Sequence, residues 1–241
     1  MSPLIIALDF AQPELALALI QQLGHKRCRV KVGKELFTRS GPLFIEQLIK
    51  QGFEVFLDLK YHDIPNTVAR ACLAAADLGV WMINVHALGG RNMLLAAREA
   101  LDKHSNPPLL VAVTILTSFE RFNLYEIGLH GMLEDNVLRL ARLSHACRLD
   151  GVVCSPREIT AIRNAIGSNF KLITPGIRPA NHSTNDDQKR VMTPVEALKL
   201  GADYLVIGRP ITAAPEPLQA LNEIEVTLQN TDSFVVQNGY A

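Results

Sequence analysis

A chain of 241 residues, 48 % apolar and 20 % charged, has a globular composition that is neither disordered nor membrane-embedded. Its length fits one large α/β barrel or two smaller domains. Lys plus Arg and Asp plus Glu both number 24, so the formal net charge is zero; no global field draws the chain to nucleic acid or an anionic membrane, and any anion must be bound locally. Cys28, Cys72, Cys147 and Cys154 show neither C-x-x-C spacing nor the density of a disulfide-stapled secreted domain, and read as reduced, mostly buried thiols. MSPLIIALDF has no basic segment before its apolar run and soon meets Asp9. It resembles neither a signal peptide nor a membrane span, and a cytoplasmic location is expected.

In chain order, LIIAL (4–8) reads as a strand followed by the helical pattern PELALALIQQL. CRVKV (28–32) precedes GPLFIEQLIKQ, and EVFLDL (54–59) precedes NTVARACLAAADLG. WMINVHA (81–87) leads to NMLLAAREAL, LLVAVTIL (109–116) to NVLRLARLSHAC, and GVVCS (151–155) to PREITAIRNAI. KLITPG (171–176) and YLVIGR (204–209) are followed by TPVEALKLG and EPLQALNEI. Strict alternation implies parallel strands with right-handed crossovers, and eight units in this length predict an α/β fold of one domain over 1–241, a single (β/α)8 TIM barrel. The competing open sheet would normally carry a Gly-rich fingerprint after its first strand, where this chain has ALDFAQPE. The polar stretch PANHSTNDDQKR falls between units seven and eight, so 179–191 is expected to be a lid loop rather than a domain linker, and 229–241 a peripheral tail.

In such a barrel chemistry sits at the C-terminal ends of the strands. Asp9 ends strand one, Lys31 and Lys34 lie near the end of strand two, and Asp58 and Lys60 end strand three. Asn84 and His86 end strand four, Thr117 and Ser118 follow strand five, and Arg178 and Arg209 follow strands seven and eight. Side chains alternate along a strand, so Asp58 and Lys60 should both enter the barrel mouth while Leu57 and Leu59 face the helices. Lys31, on the adjacent strand, can face them, with Val30 and Val32 directed outward, giving an array in which each carboxylate favours the charged form of its lysine neighbour. The plain alternative is a buried ion network that closes the barrel end. Asp63, just ahead of IPNTVARA, also suits a helix N-cap, with Pro65 in the first turn. TPGIRP (174–179) and IGRP (207–210) each join a glycine to an arginine at the two loops where this fold usually binds phosphate, although two ordinary turns with surface arginines would read the same way. His86 is either a titrating group or a hydrogen-bonded structural one. No motif for zinc or acyl-enzyme chemistry is present.

The segments ALDF (7–10), KVGKELF (31–37), FLDLKYHDIPNTV (56–68), NVHALGG (84–90), TILTS (114–118), TPGIRP (174–179) and VIGRPI (206–211) together resemble the orotidine 5'-phosphate decarboxylase family of the bacterial type, over essentially the whole barrel and in the right order. The Asp-x-Lys-x-x-Asp block alone is shared with related sugar-phosphate barrels; its combination with the preceding Lys-Val-Gly and the terminal Gly-Arg-Pro is specific.

That resemblance implies decarboxylation of orotidine 5'-monophosphate to uridine 5'-monophosphate, in de novo pyrimidine synthesis, with no metal and no organic cofactor. It further implies that Lys31, Asp58 and Lys60 form the charged array, completed by Asp63 from the neighbouring subunit of a homodimer with shared sites. Lys60 would stabilise and protonate the carbanion at C6. Asp9 and Lys31, with Asp63 and Thr67 of the partner, would bind ribose hydroxyls, and Thr117 or Ser118 would read the pyrimidine edge. Arg178, Gln188, Gly208 and Arg209 would hold the phosphate. Two other readings stand beside this one: a magnesium-dependent sugar-phosphate decarboxylase or aldolase of the same barrel group, and a silent nucleotide-binding barrel.

Overall fold

Each apolar run is short and rich in Val, Ile and Leu, the composition of a parallel strand covered on both faces. Each is followed by a segment with one apolar stripe that folds back over the strand as a helix. The computed structural model describes residues 2–179 and 191–237. In it β1 (Leu4–Ala7), β2 (Arg29–Gly33), β3 (Val55–Tyr61), β4 (Met82–His86), β5 (Leu109–Val113), β6 (Gly151–Val153), β7 (Lys171–Thr174) and β8 (Tyr204–Ile207) form a closed parallel barrel, with β8 pairing back onto β1. Between them run α1 (Pro13–Leu23), α2 (Lys34–Lys50), α3 (Pro65–Asp77), α4 (Gly90–Leu101), α5 (Arg121–Glu126), α6 (Leu133–Ala146), α7 (Ile159–Ile166) and α8 (Pro194–Leu200), and α9 (Arg209–Thr212) and α10 (Pro217–Gln237) follow β8. The chain is a single (β/α)8 barrel.

Strand parity divides the core in two. Ile5, Ala7, Phe56, Met82, Val111, Ile173 and Val206 fill the barrel interior. Their neighbours Leu4, Ile6, Val30, Val32, Val55 and Leu57 pack outward with helix residues such as Ala16, Leu36 and Val68. The N-terminal end is plugged by Arg29. Its guanidinium lies 4.3 Å over the Trp81 ring and 5.1 Å over that of Tyr204, pairs with Glu54 at 2.7 Å and donates to the Ser2 carbonyl at 2.7 Å. Opposite that filled end, the C-terminal ends of the strands surround an open cup.

Boundaries depart from the sequence reading where local chemistry intervenes. The fifth strand ends at Val113 instead of Leu116, because its partner β6 stops opposite it at Val153. The sixth stops there because Ser155 caps a 3-10 turn, its side chain accepting from Arg157 N–H while Glu158 accepts from Ser155 N–H. α2 begins at Lys34, ahead of the expected GPLFIEQ segment, and bends at Gly41, whose φ of +66° breaks the helix before Pro42. α5 is a helix the periodicity did not announce, being too short to show a stripe. α10 continues to Gln237, within the stretch expected to be a peripheral tail. The expected lid falls largely on 180–190, outside the described residues.

Candidate active site

β3 carries the central charges, and its geometry is irregular where they lie. Leu57 pairs with Ile83 and Tyr61 with Val85, so four steps along β3 match two along β4. This bulge places Lys60 at φ +52°, a left-handed backbone that residues with a Cβ seldom adopt. Asp58 and Lys60 still share the barrel mouth as alternation requires, and Leu57 and Leu59 pack toward the helices.

The Lys60 Nζ donates to Asp58 Oδ1 at 2.6 Å, and the Lys31 Nζ sits 3.2 Å from Asp58 Oδ2 and 3.2 Å from Asp9 Oδ1. Asn84 Nδ2 donates to Asp58 Oδ1 at 2.6 Å, so both carboxylate oxygens have partners. Burial by itself would raise the Asp58 carboxyl, but the Lys31 and Lys60 ammoniums, with hydrogen bonds from Lys60 and Asn84, outweigh it and hold the group at about 2. The same balance acts on Lys31: burial favours its neutral form, and Asp58 and Asp9 overcome that and raise it above the ordinary lysine value. Asp58 and Lys31 are therefore both ionised at neutral pH.

These groups form one wall of a cup of about 530 Å³, within the range of small-ligand sites. Ala7, Phe56, Val113, Val153 and Val206 make its floor, and Ile115 to Ser118 line the β5 side. Arg178 after β7 and Arg209 at the start of α9 face it from the remaining side. Gly176, between Thr174 and Arg178, has φ +81°, a conformation glycine adopts without strain, and it lets the backbone itself line the cup. Lys31, Lys60, Arg178 and Arg209 against Asp9 and Asp58 give the lining a formal +2 in a chain of net charge zero. Positive charge that the chain as a whole lacks is thus concentrated at this cup.

Of the residues singled out in the sequence, Asp9, Lys31, Asp58, Lys60, Thr117, Ser118, Arg178, Gly208 and Arg209 come together in this cup. Asp63 and Thr67 do not line it. They are exposed at the corner between β3 and α3, next to Ile64, which is 67 % exposed. Asp63 is not the N-cap: Ile64 holds that position, and Asp63 Oδ1 accepts from the Ile64 N–H at 2.6 Å, because Pro65 starts the helix one residue later than a capping Asp63 would need. Gln188 lies outside the described residues. His86 stacks on His62 with ring centroids 5.4 Å apart and accepts from Leu88 N–H at 3.4 Å. Burial, then His62, Lys60 and Lys34, push it down to about 4, so it is a neutral structural group at physiological pH. Thr212, which lines the cup, was not anticipated, and Asn84, placed only at the end of strand four, was not expected to bond Asp58. The signals were Asn84's inward parity with Met82 and Thr212's place one helical turn beyond Arg209.

The match to known proteins follows the barrel throughout. The family model described as "Orotidine 5'-phosphate decarboxylase / HUMPS family" matches residues 2–224. The chain belongs to the orotidine 5'-phosphate decarboxylase family. Among its relatives, the orotidine 5'-phosphate decarboxylase of Nitrosococcus oceani is 59 % identical over 95 % of this chain and 98 % of its own length. That of Salmonella typhimurium is 52 % identical over 95 % and 93 %. The crystal structure of the Lactobacillus acidophilus orotidine 5'-phosphate decarboxylase superposes with a TM-score of 0.83 at 39 % identity, covering 94 % of this chain and 98 % of that one. The match thus spans the whole barrel, including the β3 segment whose Asp58 and Lys60 line the cup. Among the described residues no three His, Cys, Asp or Glu side chains are placed to share a metal ion, and no helix is long and apolar enough to cross a membrane.

Proposed function

We propose that this cup decarboxylates orotidine 5'-monophosphate to uridine 5'-monophosphate and carbon dioxide, without metal or organic cofactor, as a step of pyrimidine synthesis in the cytoplasm. The observation that carries the reading is the Lys60 ammonium held 2.6 Å from the Asp58 carboxylate inside a cup of net positive charge. Arg178 and Arg209, with the Gly208 backbone, take the phosphate; an arginine fork suits its oxygens, and the dianion meets the cationic side of the cup. Asp9 and Lys31 take ribose hydroxyls, and Thr117 or Ser118 the pyrimidine edge.

So oriented, the substrate carboxylate is directed toward Asp58. The bond between C6 and the carboxylate carbon breaks, its electron pair stays on C6, and carbon dioxide leaves. The Lys60 ammonium is placed to stabilise that pair and then to give C6 a proton, recovering its own from water. Asp58 keeps the Lys60 ammonium aimed. Because phosphate and reacting carbon are bound by opposite sides of the cup, affinity at the phosphate can serve the chemistry at C6. Asp63 and Thr67 enter the site from a second subunit, and their exposure beside the bare Ile64 supports a homodimer joined at that corner.

The test follows the fall in ultraviolet absorbance on adding orotidine 5'-monophosphate in EDTA, with Lys60→Ala alongside. Wild-type turnover that survives EDTA, and a loss of at least about a thousandfold in the variant, are expected. A folded wild type with no turnover would refute the proposal, and turnover only with added magnesium would move it to the sugar-phosphate relatives.

A further inference from the structure

Asn84 sits on the inner face of β4 and is fully buried, yet it does not line the cup. Its amide makes two bonds of opposite sense. Nδ2 donates to Asp58 Oδ1 at 2.6 Å, and Oδ1 accepts from the Lys60 backbone N–H at 2.7 Å. The partners dictate the amide's orientation, since a carboxylate cannot donate and an N–H cannot accept. The second bond falls inside the β3 bulge, where the regular ladder to β4 is interrupted and Lys60 takes its left-handed φ of +52°. Asn84 therefore supplies the acceptor that a strand carbonyl supplies elsewhere, at the residue whose backbone is least inclined to stay where it is.

We infer that Asn84 is a positioning residue: one buried amide fixes both the Lys60 backbone and the Asp58 carboxylate, and so sets where ammonium and carboxylate meet. Its effect on turnover rests on the function proposed above; its effect on the Lys60 backbone rests on geometry alone. Asp58 is faced by Lys31 from β2, by Lys60 on its own strand and by Asn84 from β4, with Asp9 of the β1 end beyond Lys31. Of these only Asn84 touches both Asp58 and the Lys60 main chain.

Asn84→Ala removes both bonds, whereas Asn84→Asp keeps an acceptor for the Lys60 N–H and replaces the donor to Asp58 with a second carboxylate. Three readouts separate them: steady-state kinetics with orotidine 5'-monophosphate, affinity for uridine 5'-monophosphate, and hydrogen exchange of the Lys60 amide. Asn84→Ala is expected to lower kcat by about ten- to a hundredfold, leave uridine 5'-monophosphate affinity within about threefold, and speed Lys60 exchange by about a hundredfold or more. Asn84→Asp is expected to keep Lys60 protected, lose kcat, and lose activity on the acid side at a higher pH than wild type, because two adjacent carboxylates bind a proton more readily than one. If Asn84→Ala does not fold, Asn84→Asp decides by the same kinetic and pH criteria. Unchanged Lys60 exchange in Asn84→Ala, kcat within about twofold of wild type in either variant, or parallel loss of kcat and nucleotide affinity in Asn84→Asp would overturn the inference. A wild type without turnover whose Lys60 exchange still accelerates in Asn84→Ala would sink the function and leave the clamp standing.

Discussion

Asp58 brings three opposing effects together: burial that penalises its charge, two ammoniums that reward it, and an amide that fixes its direction. The consequence for stability has a definite sign. Its folded value of about 2 lies below the ordinary 3.8, so the stability it contributes is complete above pH 4 and is lost as pH falls through 2. Wild type should lose about 2 kcal/mol more between pH 4 and pH 2 than Asp58→Asn, as measured by urea unfolding at both values; equal losses would show that the carboxylate is not held as the geometry indicates. His86 acts in a separate window. Because it is pushed from 6.5 down to about 4, the unfolded chain takes up the proton first, and stability declines as pH falls across that interval. At this scale the sequence was most readable where parity decides. Lys31, Asp58 and Lys60 could be placed in one mouth by counting residues. Asn84's pair of hydrogen bonds could not, because it depends on a bulge that has no residue-type signature in FLDLKYHD. Asp63 misled for a related reason: one residue of register between it and Pro65 separates a cap from a neighbour of a cap.

At the scale of elements, the β/α alternation was legible because a strand buried on both faces and a one-striped helix have different periods. Element ends were less so, since they are set by partners distant in sequence, as β5 is by β6. The same dependence on partners makes Gly151 a sensitive point. A Cβ at this position of β6 would lie 2.2 Å from the Lys171 carbonyl oxygen of β7, so even a methyl group must push two paired strands apart. Gly151→Ala should cost about 1–3 kcal/mol in urea or thermal unfolding. Gly151 lies two residues before Val153, which reaches the floor of the cup, so turnover per folded molecule should change little. A variant as stable as wild type would mean that the barrel absorbs the methyl by local adjustment. By contrast, the strained backbone at Lys60 costs on the order of 1–2 kcal/mol and persists at the proposed site of chemistry, where the bulge, Asn84 and Asp58 over-determine it.

For the whole molecule, the cup of one chain holds Asp58 and Lys60, while Asp63 and Thr67 stand exposed outside it, beside an Ile64 that is 67 % exposed. In the proposed two-fold dimer, which buries this corner, Asp63 of each chain would stand against the other chain's Lys60 and make the sites interdependent. Mixing variants tests this without knowledge of the interface. Lys60→Ala and Asp63→Ala should each be nearly inactive alone. When they are mixed and reassembled, mixed dimers carry one site with both lesions and one with neither. Random pairing makes half of the dimers mixed, so activity should return to about a quarter of the wild-type value, and dilution below the dimer's dissociation range should abolish it. If each active site were built from one chain, no mixture could exceed the average of its parents. Recovery would therefore show both that the dimer exists and that Asp63 works in trans, whereas its absence from a mixture shown to exchange subunits would return Asp63 to the surface role its Ile64 hydrogen bond describes.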